Sequence, residues 1–199
     1  MGDRVGDRVP AAVEAGDDAV TLTRRAEAWI EPYWNARHLV RTRDWLLELD
    51  PEPGEALVLA ALTHDMERHF PGGPRMDPAT MAPDDPVYRA EHSERSAGIV
   101  GEWLRGQGGD EELVTEVEEL IMLHETGGSP EANLLQAADS LSFLEVNADL
   151  VAAWALEGRC GKERSKAQLT YMLERIQVER ARELAGPLYE EGLAVVDAV

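Results

Sequence analysis

The sequence predicts an all-α fold, and three observations carry that reading. Leu, Ala, Glu and Arg, all strong helix formers, dominate the composition. Strand-like runs of alternating β-branched residues are missing, and the breaks in apolar periodicity fall at proline and glycine. With 199 residues, 44% of them hydrophobic, the chain can bury one sizeable core, and its length favours a single domain.

The opening residues hold a tandem, GDRV at 2–5 and again at 6–9, followed by Pro10 and small polar residues without apolar periodicity. A mobile tail is expected over 1–16 and one helical domain over 17–199. Apolar spacing predicts helices near 17–30, 32–49, 54–69, 86–106, 110–125, 130–157 and 162–185, with a terminal turn after Pro187. Between Pro71 and Pro86 runs PGGPRMDPATMAPDDP, whose five prolines and two glycines cannot continue a helix. A loop of that length in a compact domain is expected to cover a site. No repeat of solenoid period and no low-complexity tract follows.

A formal net charge of -20 repels a polyanion, so a nucleic-acid polymer is a poor partner, whereas a small anion needs only a few local cations. The single cysteine, Cys160, cannot form an internal disulfide, which predicts a cytoplasmic location. No run of about 18 apolar residues is present to span a bilayer, and no apolar secretion signal opens the chain. No membrane association is expected.

Helical spacing places Trp34, His38, Arg41 and Trp45 on one stripe, Leu57, Ala61, His64 and Arg68 on another, and Leu113, Val117, Leu120 and His124 on a third. His92 shares a face with Ile99 and Trp103, and Asp139 lies between Leu135 and Phe143, where a carboxylate needs a partner. One such histidine is ordinarily a core residue with one hydrogen bond. Four of the five histidines on inward faces of separate helices, with two carboxylates, are what a divalent or redox metal requires. His69, beside Phe70 at a helix end, reads as a surface residue. The acidic run DEELVTEVEE at 110–119 reads as a solvated helix face, and the five tryptophans as core, with Trp34 also suited to wall a pocket.

His38, the adjacent pair His64 and Asp65, then His92, His124 and the distant Asp139 resemble the ordered ligand signature of the HD-domain superfamily over residues 33–150. HETGG at 124–128 and LLQAADSLSFLE at 134–145 are also similar to segments of the HD hydrolases that cleave diadenosine tetraphosphate. The resemblance implies an HD-type helical bundle with a binuclear centre. His38, His64, Asp65 and Asp139 would hold one ion, His92 and His124 the second, with Asp65 bridging. Members with one ion lack the two middle histidines, so two ions are expected, about 3.5–4 Å apart as in other binuclear sites. Iron or manganese is favoured, with Co, Ni, Zn and Mg also compatible with imidazole and carboxylate donors.

On this resemblance the chain is expected to be a metal-dependent phosphohydrolase. It would cleave a phosphoester or phosphoanhydride in a small phosphorylated molecule, a nucleotide first of all, by a metal-bridging hydroxide. Asp65 and Arg68 are the catalytic candidates. Arg68 stands where many relatives of that family carry lysine, and it either grips a phosphate oxygen or pairs with Glu67 or an acidic loop. Arg41 is a further phosphate candidate, with Arg37, Arg89 and Arg95 behind it. The alternative is a mixed-valent di-iron oxygenase acting on a small polar substrate. Enzymes of that kind set a tyrosine and a glutamate ahead of the first histidine, as Glu31 and Tyr33 stand here. The helices after residue 150 are left open as pocket wall or as the contact surface of a homodimer.

Overall fold

The computed structural model describes residues 21–199, so the expected tail over 1–16 and the first residues of the first helix lie outside the described residues. Among the described residues there are nine α-helices and no strand: α1 (Leu22–Ile30), α2 (Ala36–Leu49), α3 (Glu55–Thr63), α4 (Pro86–Gly106), α5 (Glu111–Leu123), α6 (Pro130–Val146), α7 (Ala148–Leu156), α8 (Lys162–Glu174) and α9 (Glu179–Asp197). A 3-10 turn, Met66–His69, follows α3. The all-α bundle expected from composition and periodicity is the fold observed. No helix among the described residues is long and apolar enough to cross a membrane.

The clearest helix starts follow capping chemistry. Asp85 accepts from the backbone N–H groups of Val87 and Tyr88 with Pro86 at the first helical position, and Ser129 does the same for Ala132 ahead of Pro130. Asp110 caps α5 through Leu113 N–H.

Three expected helices are interrupted. The stretch 54–69 leaves the α-helix after Thr63. Asp65 then sits at φ -101, ψ 5, and the chain tightens into the 3-10 turn. The stretch 130–157 divides at Asn147, whose φ of -110 and ψ of 5 end α6 and begin α7. The stretch 162–185 divides between Glu174 and Glu179, and α9 then runs on through Pro187 to Asp197, where a mere terminal turn was expected. A proline costs its helix one N–H donor and one clash, and a long amphipathic helix packed on the bundle absorbs both.

Two apolar clusters meet at α6. One joins α1 to α5 through Ile30, Leu39, Leu46, Leu59, Leu62, Val100 and Ile121, and takes Leu135 and Ala138 from α6. The other joins α7, α8 and α9 through Val151, Leu169, Met172, Ala185 and Val196, and takes Ala137, Leu141 and Leu144 from the same helix. Helix α6 is therefore buried nearly all round, as α3 is, with Ala56, Leu57 and every residue from Leu59 to Thr63 inside. Each fully buried leucine in these helices contributes on the order of 1.5–3 kcal/mol. The ends of α3 and α5 and the middle of α6 meet inside the first cluster, and the buried histidines and aspartates converge there.

Candidate metal centre

His38 projects from the inward face of α2 beside Leu39, Thr42 and Leu46. His64 ends α3 and His124 ends α5, each in the last helical conformation before the chain turns. His92 lies on the inward face of α4 with Ser93 and Ser96, and Asp139 in the middle of α6. The Ser96 hydroxyl donates to the His64 carbonyl and so satisfies an acceptor that the interrupted helix leaves open. These four histidines, Asp65 and Asp139 are all 5% exposed or less. Six ionisable groups at that depth require mutual or external compensation.

Every one of the four rings has its Nδ1 engaged on the outside. Ser142 Oγ donates to the His38 carbonyl at 2.8 Å and accepts from His38 Nδ1 at 2.9 Å. His64 Nδ1 donates to the Ala61 carbonyl at 3.2 Å and His124 Nδ1 to the Ile121 carbonyl at 2.6 Å. His92 Nδ1 donates to Glu67 Oε1 at 2.9 Å. Carbonyl and carboxylate oxygens only accept, so the proton sits on Nδ1 and Nε2 is presented inward.

Three of the four Nε2 atoms face the two aspartates, and that of His124 lies 3.7 Å from Glu125 Oε1. His38 Nε2 lies 3.0 Å and His64 Nε2 3.4 Å from Asp139 Oδ1, and His92 Nε2 lies 3.0 Å from Asp65 Oδ1. His64 Nε2 is buried and makes no hydrogen bond. Donor atoms of His38, His64 and Asp65 lie within 4.8 Å of one another, and so do those of Asp65, His92 and His124. These two groups can hold metal ions, and they share Asp65. The inward Nε2 atoms and the orphaned one on His64 fit that use.

Two arginines offset part of the negative charge. Arg175, 6% exposed, pairs with Glu125 Oε2 at 2.6 Å and with Asp139 Oδ2, and donates to Ser140 Oγ at 2.8 Å. Arg68 Nη1 lies 3.4 Å from Asp65 Oδ2 and Nη2 3.5 Å from His92 Nε2, and its buried Nε makes no hydrogen bond but lies 4.0 Å from Glu67 Oε1. Burial alone would raise both aspartates. The Arg68 charge and the His92 hydrogen bond outweigh it at Asp65, and the Arg175 and His64 charges at Asp139, so both stay well below the usual carboxylate range. Burial lowers His64 and His92, but the Asp139 carboxylate at the first and hydrogen bonds to Asp65 and Glu67 at the second raise both on balance. His124 is pushed down to about 4, chiefly by burial.

A cavity of about 90 Å³ opens above Asp65, Asp139, Arg68 and Arg175, walled by Trp34, Met76, Phe143 and Tyr171. It adjoins a wider cleft of about 360 Å³ that shares Trp34, Arg68, Met76 and Tyr88 and reaches Arg75 and Arg159. Met76 and Pro83 belong to the proline-rich loop, which does cover the site as expected. Arg164 of α8 pins it through the carbonyls of Pro78 and Met81 at 2.7 Å each.

The structure brings together the six expected ligands, and Arg68 lies beside them. The other expected contacts fall elsewhere. Arg41 is occupied by Glu145 at 2.8 Å and Asp44 at 3.2 Å and does not line the cavity. Glu31 and Arg37 are exposed, since the chain turns between α1 and α2 instead of continuing as helix. Tyr33 is buried, with its hydroxyl unpartnered and its pKa raised by burial and then by Asp65, but it too is absent from the cavity wall. Arg89 donates to the Tyr171 hydroxyl and Arg95 to the Pro71 carbonyl. His69 is exposed, as expected, and Trp34, 65% exposed, walls the pocket and is not core. Ile99 and Trp103 are only partly buried, and the inward face of α4 runs instead through Ser96, Ala97, Val100 and Leu104.

Four residues escaped the sequence reading as parts of the site: Glu67, Glu125, Ser142 and Arg175. Glu67 and Glu125 sit one or two positions beyond a ligand, a signal open to anyone who asks which acceptor holds each ring. Arg175 carries no such signal, because MLERIQVERARE contains neither Pro nor Gly and reads as unbroken helix. No curated protein and no solved structure matches the chain. A family model described as a domain of unknown function, DUF4202, matches residues 17–186, and the chain belongs to that family.

Proposed function

We propose that this chain is a metal-dependent phosphohydrolase of HD type, acting on a small phosphorylated molecule, a nucleotide first of all, with two ions sharing Asp65. One observation carries the reading: two buried donor groups have Asp65 in common and lie beside a half-buried arginine that lines the cleft. His38, His64, Asp65 and Asp139 would hold one ion and His92, His124 and Asp65 the other, with iron or manganese the first candidates. Such ions polarise a phosphoryl oxygen and make water acidic enough to attack near neutral pH.

The chain's own residues do the rest. Arg68, which lines both cavities beside Asp65, offers its guanidinium to an anionic oxygen of the substrate. Arg175 keeps Glu125 and Asp139 ionised and in place. Trp34, Phe143 and Tyr171 limit water and give the organic part of the substrate an apolar wall. The reading places the protein in the cytoplasm, where its lone Cys160 remains a free thiol. An oxygenase is less well supported, because Glu31 is exposed and neither it nor Tyr33 lines the cavity.

The test is a panel of nucleotides, dinucleotides and simple phosphomonoesters, offered to the protein loaded with Mn²⁺ or Fe²⁺ and followed by phosphate or nucleotide release. Turnover that disappears with a chelator and returns with metal is expected. Substrate-dependent O₂ consumption without phosphate release would contradict it.

A further inference from the structure

Glu67 is a fully buried carboxylate in the 3-10 turn, and it is not one of the six expected ligands. Its Oε1 accepts from His92 Nδ1 at 2.9 Å. Its Oε2 makes no hydrogen bond and lies 3.4 Å from Arg95 Nε. The opposite nitrogen of the same imidazole, Nε2, faces Asp65. A carboxylate behind a ligating imidazole fixes the ring's tautomer and rotation and makes the inward nitrogen a better donor. His38, His64 and His124 have a neutral hydroxyl or carbonyl in that position, so His92 alone of the four has a charged one.

The proline-rich loop closes over this carboxylate. A Cβ on Gly73 would lie 2.1 Å from Glu67 Oε2, so a glycine there lets the loop seat directly on it. Arg95 joins the two, donating to the Pro71 carbonyl at 2.8 Å while facing Glu67 Oε2.

Resting on the metal reading above, we propose that Glu67 is a positioning residue for the second ion. It acts through His92 to set the affinity of the Asp65, His92 and His124 group, and the seated loop holds it in place. Glu67→Gln keeps an acceptor for His92 Nδ1 but removes the charge, Glu67→Ala removes both, and Gly73→Ala pushes the carboxylate aside from the loop.

The experiment is a Co²⁺ titration of each full-length variant, by calorimetry and by visible absorption of the bound ion. Wild type is expected to show two binding events. Glu67→Ala should weaken one of them by roughly 10- to 100-fold and alter its absorption band, leaving the other unchanged. Glu67→Gln should retain part of the affinity, and Gly73→Ala should shift the same event in the same direction. Unchanged affinities in both Glu67 variants, or equal weakening of both events, would overturn the proposal. Wild type that takes up no cobalt would instead overturn the metal reading, and the role of Glu67 with it.

Discussion

Each buried histidine gives its Nδ1–H to a different acceptor, so four rings are oriented by four unrelated local features: a serine on α6, two helix-end carbonyls and a glutamate. His38, His64, His92, His124 and Asp139 were legible because helical spacing turns them inward, whereas Asp65 came only from the resemblance of the set to the HD ligand signature. The outer partners of the histidines were not legible, since a carbonyl or a hydroxyl leaves no mark on a sequence. Arg68 shows the same limit: its helical spacing from His64 was readable, its contacts with Asp65 and His92 were not. Arg68→Ala is expected to leave metal content intact and to lower kcat/KM by at least 10-fold in a phosphate-release assay, with Arg68→Lys recovering only part, because lysine cannot bind an oxyanion through a planar fork. Protons compete for the same nitrogens, and His64 and His92 have raised affinities for them. Metal uptake should therefore release protons and weaken as pH falls from 8 to 6, which calorimetry in buffers of different ionisation enthalpy measures.

The helices whose bounds were read correctly, α4 and α5, start at capping aspartates; those misread, 54–69, 130–157 and 162–185, are broken where polar residues serve the site. Asn147, 4% exposed, ends α6 and lines the cavity. Arg175 ends α8 and reaches the turn after α5 and helix α6 through Glu125 and Asp139. At Arg175 the ion pairs with Glu125 and Asp139 override helix propensity, and no proline or glycine announces the break. The break at Arg175 makes a stability prediction. Arg175→Ala strands two buried carboxylates and should cost about 3–5 kcal/mol in urea unfolding of the chelator-treated protein. The cost should be smaller in the metal-loaded protein, where an ion beside Asp139 supplies part of the missing positive charge. An equal loss with and without metal would mean that Arg175 serves packing alone.

The all-α class and a loop covering the site were visible in composition, periodicity and the proline-rich segment. The joining of two apolar clusters through α6 was not, because a helix buried on every side carries no amphipathic pattern to show what lies on each face. Since α6 serves both clusters and contributes Asp139, the two halves should unfold together. Far-ultraviolet circular dichroism and tryptophan fluorescence are expected to follow one coincident transition in denaturant, and separated midpoints would contradict a shared core. The net charge of -20 surrounds a centre whose own balance depends on two arginines and, on the reading proposed, two metal ions. The measurement that bears most directly on that reading is elemental analysis of wild type, Asp65→Ala and His69→Ala, each purified with metal present and then desalted. Two transition-metal ions per chain are expected in wild type and His69→Ala, with both lost or greatly depleted in Asp65→Ala. Wild type without metal, or an Asp65→Ala variant that keeps its full complement, would contradict the shared-aspartate centre.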